Sequence, residues 1–126
     1  MANELILIIE DNEKNRKLCR DVLQVKGYRT IESETAEDGL KLAAEKSPAL
    51  ILMDIQLPGM DGITAMKQLK ADATTKSIPI IAITASAMTN NRQAMLAEGF
   101  DGYQTKPIAL KDFLAEIERV LNPKAS

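Results

Sequence analysis

The sequence predicts an open, parallel α/β sheet covered by helices on both faces. Two observations carry this. Short apolar runs alternate with amphipathic stretches five times along the chain. Several of the runs are continuous rather than alternating, the pattern of strands buried on both sides.

The first run is Leu5-Ile-Leu-Ile-Ile9, the third Leu50-Ile-Leu-Met53 and the fourth Ile80-Ile-Ala-Ile83. Each reads as a central strand. Tyr28-Arg-Thr-Ile31 is a weaker second strand. Gly102-Tyr-Gln-Thr105 is weak alone and is assigned from the rhythm of the other four. Between them, Leu18, Cys19, Val22 and Val25 recur at helical spacing, and Gly27 supplies the stop. Ala36, Leu40, Ala43 and Ala44 mark a second helix before Ser47-Pro48, and Ile63, Met66 and Leu69 a third. Met88, Met95 and Leu96 form a thinner fourth stripe, ended by Gly99. Leu110, Phe113, Leu114, Ile117, Val120 and Leu121 form a strong fifth, ended near Asn122-Pro123.

Composition narrows the chemistry. The chain has 126 residues, 45% of them hydrophobic, which is one domain with a substantial core. A net charge of -2, with no basic stripe, argues against nucleic acid as a partner. The apolar run at residues 5–9 is far too short for a signal core or a membrane span, so no membrane association is expected. The single cysteine, Cys19, reads as a small buried hydrophobe and fits a cytoplasmic location. There is no histidine at all, which removes His-based acid–base catalysis, His metal ligands and phosphohistidine carriage together.

In an open α/β sheet, ligands bind beyond the carboxyl ends of the strands. The first strand ends in Glu10-Asp11, the third in Asp54, the fourth in Thr84 and the fifth at Lys106, followed by Pro107. A strand-terminal Asp is often only a cap or turn residue. Three acids, a hydroxyl and an ammonium at ligand-facing ends are a more specific set. Clustered carboxylates repel unless a cation lies between them. Oxygen ligands without His or a nearby Cys favour a hard ion, and Mg²⁺ suits a site that retains waters and takes a phosphoryl oxygen. A carboxylate can form an aspartyl phosphate, whose oxygens Lys106 and Thr84 are chemically suited to neutralise and to hydrogen-bond. Leu57-Pro58-Gly59-Met60-Asp61-Gly62 has the composition of a tight turn that opens a helix.

The chain resembles the receiver domain of bacterial response regulators, particularly the single-domain, CheY- and DivK-like members. The matching pieces are Ile9-Glu10-Asp11-Asn12, Met53-Asp54-Ile55-Gln56-Leu57-Pro58-Gly59-Met60-Asp61-Gly62, Ile83-Thr84-Ala85 and Thr105-Lys106-Pro107. The resemblance implies a flavodoxin-like (βα)5 three-layer sandwich with strand order 2-1-3-4-5. It implies a receiver domain over residues 4–122 and a short tail over 123–126. Asp54 would be the phosphoacceptor. Glu10, Asp11 and Asp54 would hold Mg²⁺ with the Gln56 carbonyl, Mn²⁺ being a substitute. Thr84 and Tyr103 would be the switch pair and Lys106 the phosphate-pairing lysine. The Lys106-Pro107 bond is similar to one that is cis in the family, and Gln56 and Ser86 occupy positions that tune phosphoryl lifetime. Glu10 departs mildly from the family, where Asp is commoner.

These readings make the chain a phosphorylation-dependent switch of a two-component or phosphorelay pathway, not a turnover enzyme. The donor is expected to be a histidine kinase or histidine phosphotransfer protein, and the output a downstream target protein. The active species would be a monomer or weak dimer. Three other readings compete with this one. One is a receiver that binds partners without phosphorylation, against which Asp54, Thr84 and Lys106 all stand. Another is an Asp-nucleophile phosphatase, which would place a second Asp where Gln56 stands. The last is a nucleotide or flavin binder, for which the turn Glu10-Asp11-Asn12-Glu13 lacks glycines.

Overall fold

The computed structural model describes residues 3–85 and 91–122. Five strands and five helices alternate in the order β1 (Leu5–Ile9), α1 (Glu13–Val25), β2 (Arg29–Ser33), α2 (Ala36–Lys46), β3 (Leu50–Asp54), α3 (Gly62–Ala71), β4 (Ile80–Thr84), α4 (Arg92–Glu98), β5 (Gly102–Thr105) and α5 (Leu110–Leu121). All strand pairs are parallel, in the order β2-β1-β3-β4-β5. This is the flavodoxin-like arrangement expected from the sequence.

The continuous apolar runs form the middle of the sheet. β3 and β4 are buried at every residue. Alternate side chains point to opposite faces. Leu7, Ile9, Ile51, Met53, Ile80 and Ala82 pack with residues of α2, α3 and α4. Ile6, Ile8, Leu50, Leu52, Ile81 and Ile83 pack with Cys19, Leu23, Phe113 and Ile117 of α1 and α5. Polar side chains start four helices: Asn12, Thr35, Asp61 and Asn91 each accept a backbone N–H three residues on.

Some boundaries and faces differ from the sequence reading. β2 runs one to two residues later than expected, because Tyr28 packs into the core on the α1 and α5 side instead of opening the strand. The buried residues of α1 are Cys19 and Leu23, whereas Leu18 is 41% and Val25 84% exposed. The true centre of the stripe is one residue round from Leu18, and Val25 lies at the helix end, past the sheet. Ala44 in α2, Leu96 in α4 and Leu110 in α5 are likewise exposed. Met88, the tail 123–126 and Ser86 lie outside the described residues.

The turn after β3 is set by glycine. Gly59 has φ +77°, a left-handed conformation that favours glycine. Gly62 starts α3 directly against the end of β3: a Cβ there would overlap the Asp54 carbonyl oxygen and lie 2.9 Å from Ile55 Cα. Backbone cannot rotate away as a side chain can, so α3 would have to shift. Gly62→Ala is expected to cost about 1–3 kcal/mol, as overpacking does. Urea unfolding reads this directly, and an unchanged midpoint would show that α3 moves freely at its start.

Candidate functional site

Each acidic residue of the site is delivered by a strand end. Glu10 follows β1, its N–H donating to Ser33 O of β2 at 3.0 Å. Asp54 is the last residue of β3, and the next residue, Ile55, donates its N–H to Ile83 O of β4 at 2.9 Å. The sheet thus sets Glu10 and Asp54 on adjacent strands. One carboxylate oxygen from each of Glu10, Asp11 and Asp54 lies within 4.8 Å of the others. Glu10 and Asp54 are buried, and Asp11 is exposed.

Lys106 follows β5 and reaches back across the sheet. Its Nζ lies 2.8 Å from Glu10 Oε1 and 3.1 Å from Asp54 Oδ2. Its own N–H donates to Thr84 O at 2.9 Å, and the peptide bond from Lys106 to Pro107 is cis. Thr84 itself is fully buried at the end of β4, in register with Thr105. The Gln56 N–H donates to Asp54 Oδ1 at 3.1 Å, so the turn after β3 grips the free end of that carboxylate while the Gln56 side chain is exposed.

The electrostatics follow from burial. Desolvation pushes the Glu10 carboxyl up to about 7, aided by its hydrogen bond with Asp54 and opposed by Lys106 and the Asn12 N–H. Burial would lower the Lys106 ammonium, but Glu10 and Asp54 outweigh it and the net shift is upward. Desolvation, with the charge of Glu10 behind it, raises the Cys19 thiol to about 12, so this cysteine is a core residue and not a nucleophile.

The donor set is three carboxylates with one face open to solvent, which fits a hard divalent cation that keeps some of its waters. Asp54 and Glu10 each carry the Lys106 ammonium on one oxygen and a backbone N–H on the other, from Gln56 and Asn12 respectively, and of the two Asp54 is the last residue of the central strand β3. A carboxylate so held is oriented for attack, and Lys106, with a cation on the acidic cluster, could neutralise the oxygens of a transferred phosphoryl group.

The family model of the response regulator receiver domain matches residues 6–118. The chain belongs to that family. The receiver domain is 42% identical over 116 residues to the polar-differentiation response regulator DivK of Brucella ovis, covering 92% of this chain and 94% of that one. The same identity and coverage hold for DivK of Brucella anthropi. Among solved structures, the receiver domain of the sensor histidine kinase PA1611 of Pseudomonas aeruginosa superposes with a TM-score of 0.87 at 30% identity. It covers 96% of this chain and 99% of that one, and it was solved with a magnesium ion coordinated in its active-site cleft. The chemotaxis protein CheY4 of Vibrio cholerae shares the fold, with a TM-score of 0.86 at 24% identity over 94% of this chain and 99% of that one.

Tyr103 sits apart from the carboxylates of the receiver domain, against α4 and α5. Arg92 lies 6.0 Å over its ring, and its buried hydroxyl has no hydrogen-bond partner among the described residues. Two residues that sequence reasoning passed over matter here. Arg16 donates to the Glu10 carbonyl. Glu116 binds Arg92, Arg119 and the Tyr103 N–H. Glu116 left a signal in the sequence, an acid on the same helical stripe as Phe113 and Ile117. Arg16 left none, since an arginine on an amphipathic helix reads as solvated.

Proposed function

We propose that this receiver domain, spanning residues 4–122, is a phosphorylation switch whose acceptor is Asp54. The observation that carries the reading is the contact of Lys106 with both buried carboxylates, Glu10 at 2.8 Å and Asp54 at 3.1 Å. It joins an oriented nucleophile, an acidic cation site and a positive charge in one place. Glu10, Asp11, Asp54 and the Gln56 carbonyl would hold Mg²⁺, with Mn²⁺ as a substitute. The bound ion supplies charge neutralisation for the incoming phosphoryl group. An Asp54 oxygen attacks phosphorus, the bond from phosphorus to the donor breaks, and Lys106 pairs with the transferred group.

With no histidine in the chain, the phosphoryl group comes from outside. A phosphohistidine on a histidine kinase or phosphotransfer protein is the natural donor for an aspartyl acceptor. Among the described residues no helix is long and apolar enough to cross a membrane. That observation and the buried, unpaired Cys19 accord with a cytoplasmic site of action. Thr84 and Tyr103 would relay the event to the face formed by α4, β5 and α5, where a downstream protein reads it. Gln56 and Ser86 would set the lifetime of the phosphoryl group.

The decisive experiment is mass spectrometry after treatment with acetyl phosphate and Mg²⁺. Wild type should gain one phosphoryl group, and Asp54→Ala and Asp54→Asn none. An undiminished adduct on Asp54→Ala would remove Asp54 from this role.

A further inference from the structure

Glu10 is held by its backbone from two sides. Its N–H donates to Ser33 O at 3.0 Å, and its carbonyl accepts from Arg16 Nη1 at 2.9 Å. Arg16 is in turn fixed from behind: its Nε donates to Glu32 Oε1 at 3.1 Å. Glu32 is itself gripped by Arg20, at 3.1 and 2.9 Å. The Arg16 side chain is only 13% exposed, so it is packed in this position rather than waving in solvent. The carbonyl it holds belongs to the peptide plane that joins Glu10 to Asp11. Fixing that plane fixes where the Asp11 side chain leaves the backbone relative to the buried Glu10 and Asp54 carboxylates.

We propose that Arg16 is a positioning residue for the cation site, acting through the Glu10–Asp11 peptide and anchored by Glu32. This rests on the reading of Glu10, Asp11 and Asp54 as an Mg²⁺ site. Arg16 does not touch the ion. It restricts the rotation that would carry the exposed Asp11 carboxylate away from the other two. The guanidinium suits the task because its rigid fork bridges a backbone carbonyl and a carboxylate at once, which an ammonium on a flexible stem does less well.

Charge and position predict opposite signs here. Removing a cation beside a cation site would, by relief of Coulomb repulsion alone, tighten Mg²⁺ binding. Loss of a positioning contact loosens it, by roughly 10- to 100-fold where outer partners of metal ligands have been removed. A residue with only a general structural role would leave affinity unchanged in the folded protein.

The test is calorimetric titration of Mg²⁺ into the unphosphorylated full chain. Wild type is compared with Arg16→Met, Arg16→Lys and the distant control Lys70→Met. Lys70 also joins a backbone carbonyl, Ile78 O at 3.2 Å, to a carboxylate, Asp101 at 2.9 Å, but before the opposite ends of β4 and β5. The expected result is weaker binding for Arg16→Met by about 10-fold or more, partial recovery in Arg16→Lys, and wild-type affinity in Lys70→Met. Equal or tighter binding by folded Arg16→Met overturns the inference. So does a matching loss in Lys70→Met. If Arg16→Met does not fold, Arg16→Gln, which keeps a polar group but loses reach, decides in the same way. Absence of Mg²⁺ binding by wild type itself would overturn the cation site as well as this inference, a result distinct from the others.

Discussion

Lys106→Met is expected to destabilise the protein without Mg²⁺ by about 3–5 kcal/mol near pH 8, the cost of stripping a partner from buried charge. The ammonium lies 2.8 Å from Glu10 and 3.1 Å from Asp54, and each of those side chains is only 4% exposed. Without it two buried carboxylates face each other uncompensated. The effect should shrink on acidification, and the sign follows from Glu10. Burial, then the bond with Asp54, places its folded value at about 7, above the ordinary 4.5. A raised folded value means the native state binds the extra proton. The associated stability is fully present below 4.5 and is lost as pH rises through about 7. Wild type should therefore lose stability over this window in the absence of Mg²⁺. Lys106→Met should lose more, and over a window extended upward, because the group that opposed the shift has gone. The raised Lys106 value itself matters only as pH climbs beyond 10.5, outside this range. Mg²⁺ should offset part of the loss in both proteins. At a hundredfold excess over Kd a ligand specific to the native state adds about 2.7 kcal/mol. Urea unfolding near pH 5 and pH 8, with and without Mg²⁺, supplies the measurement. Identical pH dependence in the two proteins would show that Lys106 does not compensate these carboxylates.

The same residues show why much of the site was legible in the sequence. Glu10, Asp54 and Thr84 directly follow or end continuous apolar runs, and a polar side chain that closes a run covered on both faces stands out from the pattern even when it is itself buried. Once three such runs are parallel, their final residues must share an edge. The second charge partner of Lys106 was less legible. Sequence reading paired it with phosphate, and only the fold shows it bridging Glu10 and Asp54. Arg16 was hidden for a topological reason. Its anchor Glu32 lies on β2, and β2 pairs with β1 so that Glu32 stands opposite Ile8. Nothing local to α1 announces that neighbour. The edge strand β5 was faint because only Gly102 and Gln104 of its residues are buried. A strand with one side chain in its covered face carries almost no apolar pattern. The misjudged faces, Val25 and Leu110, lie at helix ends, where periodicity continues past the sheet that would have covered it.

Glu116→Ala should speed amide exchange at Tyr103 by about 10- to 100-fold, the equivalent of the 1.5–3 kcal/mol assigned to a hydrogen bond with a charged group. The carboxylate is 8% exposed on α5 and accepts the Tyr103 N–H at 2.7 Å, covering the open edge of β5. It also binds Arg92 of α4 at 3.1 Å and Arg119 at 3.0 Å. Gly102 makes room for it: a Cβ there would lie 2.9 Å from Glu116 Oε2. One carboxylate therefore ties α4, β5 and α5 together beside the Tyr103 ring. The ring lies under Arg92 with its hydroxyl buried and without a partner among the described residues. Met95 is the buried residue of α4 in its described span, and the ion pair of Arg92 with Glu116 adds a tie from that helix to α5. Burial works to raise the Glu116 carboxyl, but Arg119, the Tyr103 N–H and Arg92 together hold it below its ordinary 4.5. Its contribution is thus present above 4.5 and lost as pH falls through the lower folded value. Protection of Tyr103 should fade on strong acidification in wild type and be insensitive to it in Glu116→Ala. Glu116→Gln keeps an acceptor for the N–H but no charge for the arginines, and should fall between. Exchange in β1, buried and remote from this cluster, should not change. If Tyr103 exchanges at the wild-type rate in Glu116→Ala, its N–H is held by something else and Glu116 is not the tie between α4 and β5.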